Sequence, residues 1–195
     1  LYNRVDNPRC WKRTGHGLLD IVGGITNSCN FFFYEIGYRL GTDVAGRYDS
    51  ELGLGKLAQY AEMFGLSEPS GIELSESEPR ISSEDAVRSA IGHGTNNFTT
   101  VGLARYVTTI ANSGTCFKLS LLDNLTDASG NVLEEYTPEV RNKIEIPDST
   151  WEAVHLGMRG VVENASAFVI FRLRLPVRQE RRSRLQAGQI MRCLL

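Results

Sequence analysis

The chain has 195 residues, 42% apolar and 23% charged with 19 glycines, which is typical of an ordinary globular domain with many turns. Its formal charge of −2 hides a split, because residues 1–165 carry 14 Lys and Arg against 22 Asp and Glu, whereas residues 166–195 carry seven Arg and one acid. No apolar run approaches the roughly 18–20 residues that a membrane span needs, and the first residues do not resemble a signal peptide. The chain does not begin with Met, so we expect it to start inside a longer protein.

The N-terminal part is predicted to be a loop followed by two helices. Residues 1–17 contain Pro and Gly breakers and predict a loop, and residues 18–26 predict a short helix that two adjacent glycines weaken. A stronger amphipathic pattern predicts a helix from Phe31 to about Leu40. Gly41 stands where a helix commonly ends with a glycine, so it is expected to close this helix.

Two further helices are predicted on either side of a polar segment. The first runs from Leu54 to Phe64 and ends at a glycine, and residues 66–89, rich in Ser, Glu and Pro, predict an exposed loop. Thr99 or Thr100 can cap the second, which runs to about Asn112. Four apolar side chains of this second helix are expected to face inward: Leu103, Tyr106, Val107 and Ile110.

The remainder predicts one β-hairpin and a last helix. Segments 118–127 and 131–136 flank a short turn of Ala, Ser and Gly, which is the pattern of a hairpin. The last helix is expected from Trp151 to Val162, with an inward stripe of Val154, Met158, Val161 and Val162. The body is therefore predicted to be mostly helical with one small β-ribbon.

The cysteines and histidines do not have the spacing of a metal site. The four cysteines form no C-x-x-C pair, and no histidine lies at ligand spacing from any of them: Cys10, Cys29, Cys116 and Cys193. Buried free thiols are the expectation, and a disulfide between two of them remains open. The three histidines are expected to be surface or structural residues: His16, His93 and His155. No metal and no cofactor are therefore expected.

Four stretches together resemble the class B penicillin-binding proteins, most closely the PBP2-like transpeptidases of rod-shaped bacteria. They occur in that family's order and spacing: SCNFFFYEIG at 28–37, LAQYAEMFGL followed by GIEL within 57–74, AIGHG through IANSGT within 90–115, and the helix pattern at 151–162. The resemblance implies a mixed α/β fold, a partial transpeptidase domain similar to serine β-lactamases, present here mainly as its helical lobe plus a small β-ribbon.

The resemblance also implies a reaction and two site residues. Such enzymes cross-link peptidoglycan stem peptides ending in D-Ala-D-Ala by serine acyl transfer, and β-lactam antibiotics acylate the same serine. In the family's Ser-x-Asn motif, Ser28 would relay a proton towards the leaving amine, and Asn30 would hold the substrate's peptide amide. Ser and Asn are also common helix caps, and Ser129-Gly130-Asn131, a second match, is explained by turn chemistry.

Two motifs of the family are missing from the chain. None of its four lysines has a serine three residues before it, so the Ser-x-x-Lys that supplies nucleophile and base is absent. Lys-Thr-Gly is also absent, and Arg13-Thr14-Gly15 only imitates it from a Gly-rich loop that precedes Ser28. The chain alone is therefore expected to be inactive.

The resemblance places the longer protein at the bacterial cytoplasmic membrane, anchored there with this domain outside, in a cell-wall elongation complex and without a nucleic-acid partner. Two alternatives stay open: a non-catalytic module that binds peptidoglycan or a partner, and a relative of serine β-lactamases or β-lactam sensors. The domain is expected to occupy residues 1–165. The Arg-rich tail, residues 166–195, is interpreted as read in a shifted frame, with an assembly error or a genuine basic tail that binds anionic surfaces as alternatives.

Overall fold

A computed structural model of the protein describes residues 8–165. Within this range the elements follow in the order α1 (Ile21–Thr26), α2 (Asn30–Leu40), α3 (Ser50–Met63), α4 (Ala86–Ser89), α5 (Thr100–Ala111), β1 (Thr115–Phe117), β2 (Asn124–Thr126), β3 (Val132–Glu135), β4 (Val140–Lys143) and α6 (Asp148–Asn164). Helices dominate and the strands form two small ribbons, which confirms the expected mixed fold. No helix among the described residues has both the length and the apolar character required to cross a membrane. The predicted Arg-rich tail lies outside the described residues.

Helix α1 packs against α6 through glycines that leave no room for side chains. A Cβ atom on Gly157 would lie 2.7 Å from the Cβ of Ile25, and one on Gly160 would lie 2.4 Å from Oγ1 of Thr26. The Thr26 hydroxyl also donates a hydrogen bond to the Gly157 carbonyl at 3.2 Å. These contacts fix the end of α1, and with it the segment that leads to Ser28, against α6.

Helix α4 is short and lies at the centre of the contact between α2 and α3. Ala86 and Val87 are fully buried. Glycines face this helix from both neighbours, because a Cβ atom on Gly37 would lie 2.7 Å from the Ala86 carbonyl oxygen and one on Gly53 would lie 2.7 Å from the Ala86 Cβ. The prediction that residues 66–89 are an exposed loop is therefore wrong at its end, since four residues are too few to show helical periodicity.

The predicted inward face of α5 is wrong in part. Leu103 and Val107 are 43% and 46% exposed, whereas Arg105 and Thr109 are 2% and 1% exposed. Ile110, which was expected to face inward, is buried. Apolar spacing misplaced part of the buried face because two polar residues, Arg105 and Thr109, occupy the most enclosed positions of the helix.

Arg105 is buried because its guanidinium group binds backbone oxygens of the segment that follows α3. It donates to four carbonyl groups, those of Gly65, Glu68, Pro69 and Ser70. Buried polar groups are tolerated when they are hydrogen-bonded, and a guanidinium group can satisfy several acceptors at once. Arg105 therefore ties this segment to α5.

The two ribbons differ in how well the sequence predicts them. β2 and β3 pair antiparallel around the turn at 127–131, which confirms the expected hairpin. β1 pairs antiparallel with β4, with Thr115 opposite Lys143. This second ribbon was not predicted, because its strands have no turn between them that marks a hairpin.

The last helix is longer than predicted, and its apolar stripe is only partly buried. α6 begins at Asp148 and ends at Asn164, and Trp151 and Gly157 are its buried residues. Val161 and Val162, expected to face inward, are 37% and 50% exposed. This end of the helix is therefore only partly covered by the described residues, with Thr26 packed against Gly160.

Candidate active site

Ser28 joins α1 to α2 in a backbone conformation that non-glycine residues rarely adopt. Its φ angle is +46°. The Ser28 N–H donates to the Ile25 carbonyl at 2.9 Å, and the Trp11 indole N–H donates to the carbonyls of Ser28 and Asn27 at 3.0 and 3.3 Å. The serine backbone is held on both sides while its side chain stays exposed. Backbone strain of this kind concentrates at functional sites.

Asn30 is the first residue of α2, and it does not cap the helix. The N-cap position belongs to Cys29, whose side chain makes no capping hydrogen bond. Within residues 8–165, neither the Ser28 hydroxyl nor the Asn30 side-chain amide has a hydrogen-bond partner. Helix capping therefore does not account for these two side chains, and both are available to an incoming group.

The second Ser-x-Asn match forms a tight turn instead. The Asp127 carboxylate accepts hydrogen bonds from the backbone N–H groups of Ser129 and Asn131, each at 2.8 Å. The Asn131 side chain also donates to the same carboxylate at 2.8 Å. The expected turn chemistry is confirmed, and this motif serves the hairpin.

Arg13-Thr14-Gly15 also lies in a turn. The Gly15 N–H donates to the Lys12 carbonyl at 3.0 Å, and Gly15 has a φ angle of +76°. This sequence therefore belongs to a turn of the loop before α1, and it has an arginine where the motif requires a lysine. The catalytic motifs that the sequence lacks have no replacement in this segment.

Two cysteines and a histidine converge directly beside Ser28 and Asn30. The sulfur atoms of Cys10 and Cys29 are 3.9 Å apart, and the Cys10 sulfur is 3.6 Å from Nδ1 of His16. Nε2 of His16 is buried without a hydrogen-bond partner among the described residues. The ring of Trp11 packs edge-on against His16 with 5.2 Å between ring centroids.

The two thiols experience different environments. Burial opposes ionisation of Cys10, but hydrogen bonds from the backbone N–H groups of Lys12, Phe31 and Asn30 outweigh it and hold the pKa of Cys10 below its ordinary value. Burial raises the pKa of Cys29, and the adjacent Cys10 adds to that increase. Cys10 is therefore the more readily ionised sulfur of the pair.

These three side chains form a donor set that could hold a metal ion. One ligand atom from each of Cys10, His16 and Cys29 lies within 4.8 Å of the others. Two thiolates and one imidazole are three of the four ligands of many tetrahedral zinc sites. The sequence prediction missed this cluster, because ligand-spacing rules apply to short motifs. Here the turn between Cys10 and His16 and the junction of α1 with α2 bring the three residues together. The pairing of Trp11 with the Ser28 carbonyl had no sequence signal either.

Residues 2–171 match the family model described as the penicillin binding protein transpeptidase domain. One curated relative, the peptidoglycan D,D-transpeptidase MrdA of Haemophilus influenzae, is 29% identical over 184 residues, covering 85% of this chain and 26% of the relative. The chain thus spans about a quarter of the length of this relative and of the MrdA protein of Salmonella typhimurium.

Solved structures show the same fold. Penicillin-binding protein 2B of Streptococcus pneumoniae strain R6 superposes with a TM-score of 0.63 at 24% identity, covering 75% of this chain and 26% of that one. A chain of a peptidoglycan synthase complex superposes with a TM-score of 0.65 at 23% identity, covering 84% and 27%. The chain therefore belongs to the penicillin-binding protein transpeptidase domain family, as a partial domain of the class B, PBP2-like type.

Proposed function

We propose that this chain is part of a peptidoglycan D,D-transpeptidase and supplies Ser28 and Asn30 to its active site. The longer protein would cross-link stem peptides that end in D-Ala-D-Ala by serine acyl transfer. The observation that carries the proposal is that the Ser28 hydroxyl and the Asn30 side-chain amide, two residues apart at the start of α2, both lack a hydrogen-bond partner within residues 8–165. Helix capping occupies neither side chain, so both can contact a substrate.

Each residue has a role suited to its chemistry. The Ser28 hydroxyl can accept a proton and donate one at the same time, so it can pass a proton to the leaving amine. The Asn30 amide offers both a carbonyl acceptor and N–H donors, which match the two polar groups of a peptide bond. These roles need substrate contacts with side chains that have no protein partner within residues 8–165.

The chemistry also needs groups that this sequence lacks. The serine nucleophile and lysine base of Ser-x-x-Lys and the Lys-Thr-Gly strand are absent, so they would come from other segments of the longer protein. The 195-residue chain alone is accordingly expected to form no covalent adduct with penicillin. β-Lactams would acylate the longer protein at that missing serine.

We also propose the setting in which the protein works. The longer protein would be anchored in the cytoplasmic membrane, with this domain outside and within a cell-wall elongation complex. Similarity to MrdA proteins and to a chain of a peptidoglycan synthase complex supports this setting. The test is co-purification of the longer protein with its membrane partners after gentle solubilisation.

The division at residue 165 is a proposal of the same kind. The abrupt change to seven Arg and no Lys in residues 166–195 supports a tail read in a shifted frame, although the family match runs six residues further, to residue 171. Sequencing the gene through this region tests it: Lys-Thr-Gly emerging in another frame is expected, and its absence from every frame contradicts the proposal.

The active-site proposal is tested on the longer protein with labelled penicillin. Ser28→Ala is expected to slow acylation by about 100-fold or more, the range over which positioned proton-transfer groups act. Asn30→Ala is expected to slow it as well, because the substrate's peptide amide loses its partner. Ser129→Ala and Asn131→Ala alter the same residue types in the hairpin turn and serve as matched controls. They are expected to leave the acylation rate unchanged.

Two results would count against the active-site proposal. Equal acylation rates in the Ser28 and hairpin variants would remove Ser28 from the reaction. Unfolding of the Ser28 variant, visible as a lost thermal transition, would instead indicate a structural role. Retention of the wild-type transition with slowed acylation is the expected combination.

A further inference from the structure

The pair formed by Cys10 and Cys29 has a geometry that the proposed reaction does not use. Their sulfur atoms are 3.9 Å apart although the residues lie 19 positions apart in sequence. Both thiols are free. A disulfide has sulfur atoms about 2 Å apart, so bond formation needs the two sulfurs to approach each other by about 2 Å. The fold therefore already holds the two thiols in contact, as a disulfide between them requires.

The two thiols differ in their exposure to solvent, and this difference indicates which sulfur reacts first with an oxidant. Cys10 is partly exposed. Cys29 is only 5% exposed. A reagent from solvent therefore reaches Cys10 first, and Cys29 is in place to complete the exchange.

We propose that Cys10 and Cys29 form a reversible disulfide that acts as a redox switch beside the Ser28 and Asn30 side chains. The oxidant is a disulfide compound, either a small one or a thioredoxin-like protein. Cys10 attacks one of its sulfurs and releases the first thiol, and Cys29 then attacks the mixed disulfide and releases the second. Two protein thiols and one external disulfide give one protein disulfide and two external thiols, so two electrons and two protons pass to the oxidant.

The bond would act on the proposed active site through two neighbours. Cys29 lies between Ser28 and Asn30, so a shift of its backbone reaches both. Cys10 precedes Trp11, whose indole N–H holds the Ser28 carbonyl at 3.0 Å. The disulfide thus joins the two segments that together fix the Ser28 backbone. Formation of the bond rests on the thiol geometry alone, whereas its effect on catalysis rests on the proposed function.

The first experiment detects the bond itself in the full 195-residue chain. The protein is treated with a chelator, so that no bound metal masks the thiols, and is equilibrated in mixtures of reduced and oxidised glutathione. Loss of about 2 Da, together with a peptide that links Cys10 to Cys29, is expected, because exchange removes one hydrogen from each thiol. All variants carry Cys193→Ser, which prevents exchange with the C-terminal cysteine.

Matched variants separate this pair from other thiols. Cys10→Ser and Cys29→Ser are each expected to abolish the mass loss, whereas Cys116→Ser, a change at a fully buried thiol, leaves it intact. Exclusive formation of glutathione adducts, or no reaction at oxidised glutathione levels that oxidise dithiothreitol, would overturn the proposal. A linked peptide that contains Cys116 would overturn it as well.

The second experiment measures the consequence in the longer protein. Oxidation is expected to change the rate of acylation by labelled penicillin at least five-fold, and the change should disappear in Cys10→Ser. An unchanged rate in a protein shown to carry the bond would overturn the switch. Failure of the proposed function looks different, because Ser28→Ala would then leave acylation intact while the disulfide still forms.

Discussion

At the scale of single residues, Ser28 and Ser113 make an informative comparison. Both are non-glycine residues with positive φ angles, +46° and +59°. Ser113 follows α5 and precedes Gly114 in an ordinary helix-ending turn. Ser28 instead carries one of the two side chains proposed to meet the substrate. Both serines end a helix in the same turn, because the Ser28 and Ser113 N–H groups each donate to the carbonyl three residues earlier. What distinguishes Ser28 is therefore its position two residues before Asn30, not its backbone.

We predict that glycine at either position stabilises the fold, because glycine adopts positive φ angles without a steric penalty. Ser28→Gly and Ser113→Gly should each raise the free energy of unfolding by up to about 1 kcal/mol, measured by urea denaturation. Only Ser28→Gly should slow acylation of the longer protein. A loss of stability in Ser28→Gly would show that its hydroxyl, and not its backbone, supports the fold.

At the scale of elements, glycines set how closely the helices approach. Gly157 of α6 faces Ile25 of α1, and a Cβ atom there would lie 2.7 Å from the Ile25 Cβ. Gly55 of α3 has no atom within 4 Å of its Cβ direction. Gly157 therefore lies in a tightly packed helix contact, whereas Gly55 faces open space.

We predict opposite effects of alanine at these two glycines. Gly157→Ala should lower the free energy of unfolding by about 1–3 kcal/mol, because α1 must move away from α6. Gly55→Ala should raise it by about 0.5–1 kcal/mol, because alanine is the better helix former in open space. Thermal denaturation of both variants checks the pair. Equal stabilisation by the two changes would contradict the close packing of α1 on α6.

Sequence patterns predicted the elements better than their contacts. The helix ending at Gly41, the hairpin around 127–131 and the final helix could all be predicted, since each depends on neighbours along the chain. The burial of Arg105 could not, because its carbonyl partners lie at least 35 residues away. The convergence of Cys10, His16 and Cys29 likewise depends on how α1 meets α2, and no local pattern encodes it.

At the scale of the whole molecule, one ion pair connects distant parts of the chain. Nε of Arg141, in β4, donates to the carboxylate of Glu68, in the segment after α3. This hydrogen bond is the main reason that the pKa of Glu68 lies below its ordinary value of 4.5. Because the folded pKa is the lower one, the stability that this pair contributes is fully present above pH 4.5 and is lost as the pH falls through the folded pKa.

We predict that Arg141→Met makes the protein less sensitive to acid. At pH 7 the variant should be less stable than wild type by at most about 1 kcal/mol, since the Glu68 side chain is 47% exposed and screening weakens the pair. Below pH 4.5 the difference should shrink. Arg39→Met, which removes an exposed pair with Glu35, is the control. A difference that is constant from pH 7 to pH 3 would contradict the assignment.

The hydrogen bond from Trp11 to Ser28 also gives the molecule a built-in optical probe. The chain contains two tryptophans, and Trp11 is 63% exposed whereas Trp151 is 5% exposed. Their emission should therefore separate, with the solvent-facing indole emitting at longer wavelength and being quenched by acrylamide. Replacing Trp151 with Phe would leave Trp11 as the single tryptophan, with its indole N–H hydrogen-bonded to the Ser28 carbonyl. Ligand arrival or disulfide closure at that loop could then be followed in real time without any attached dye.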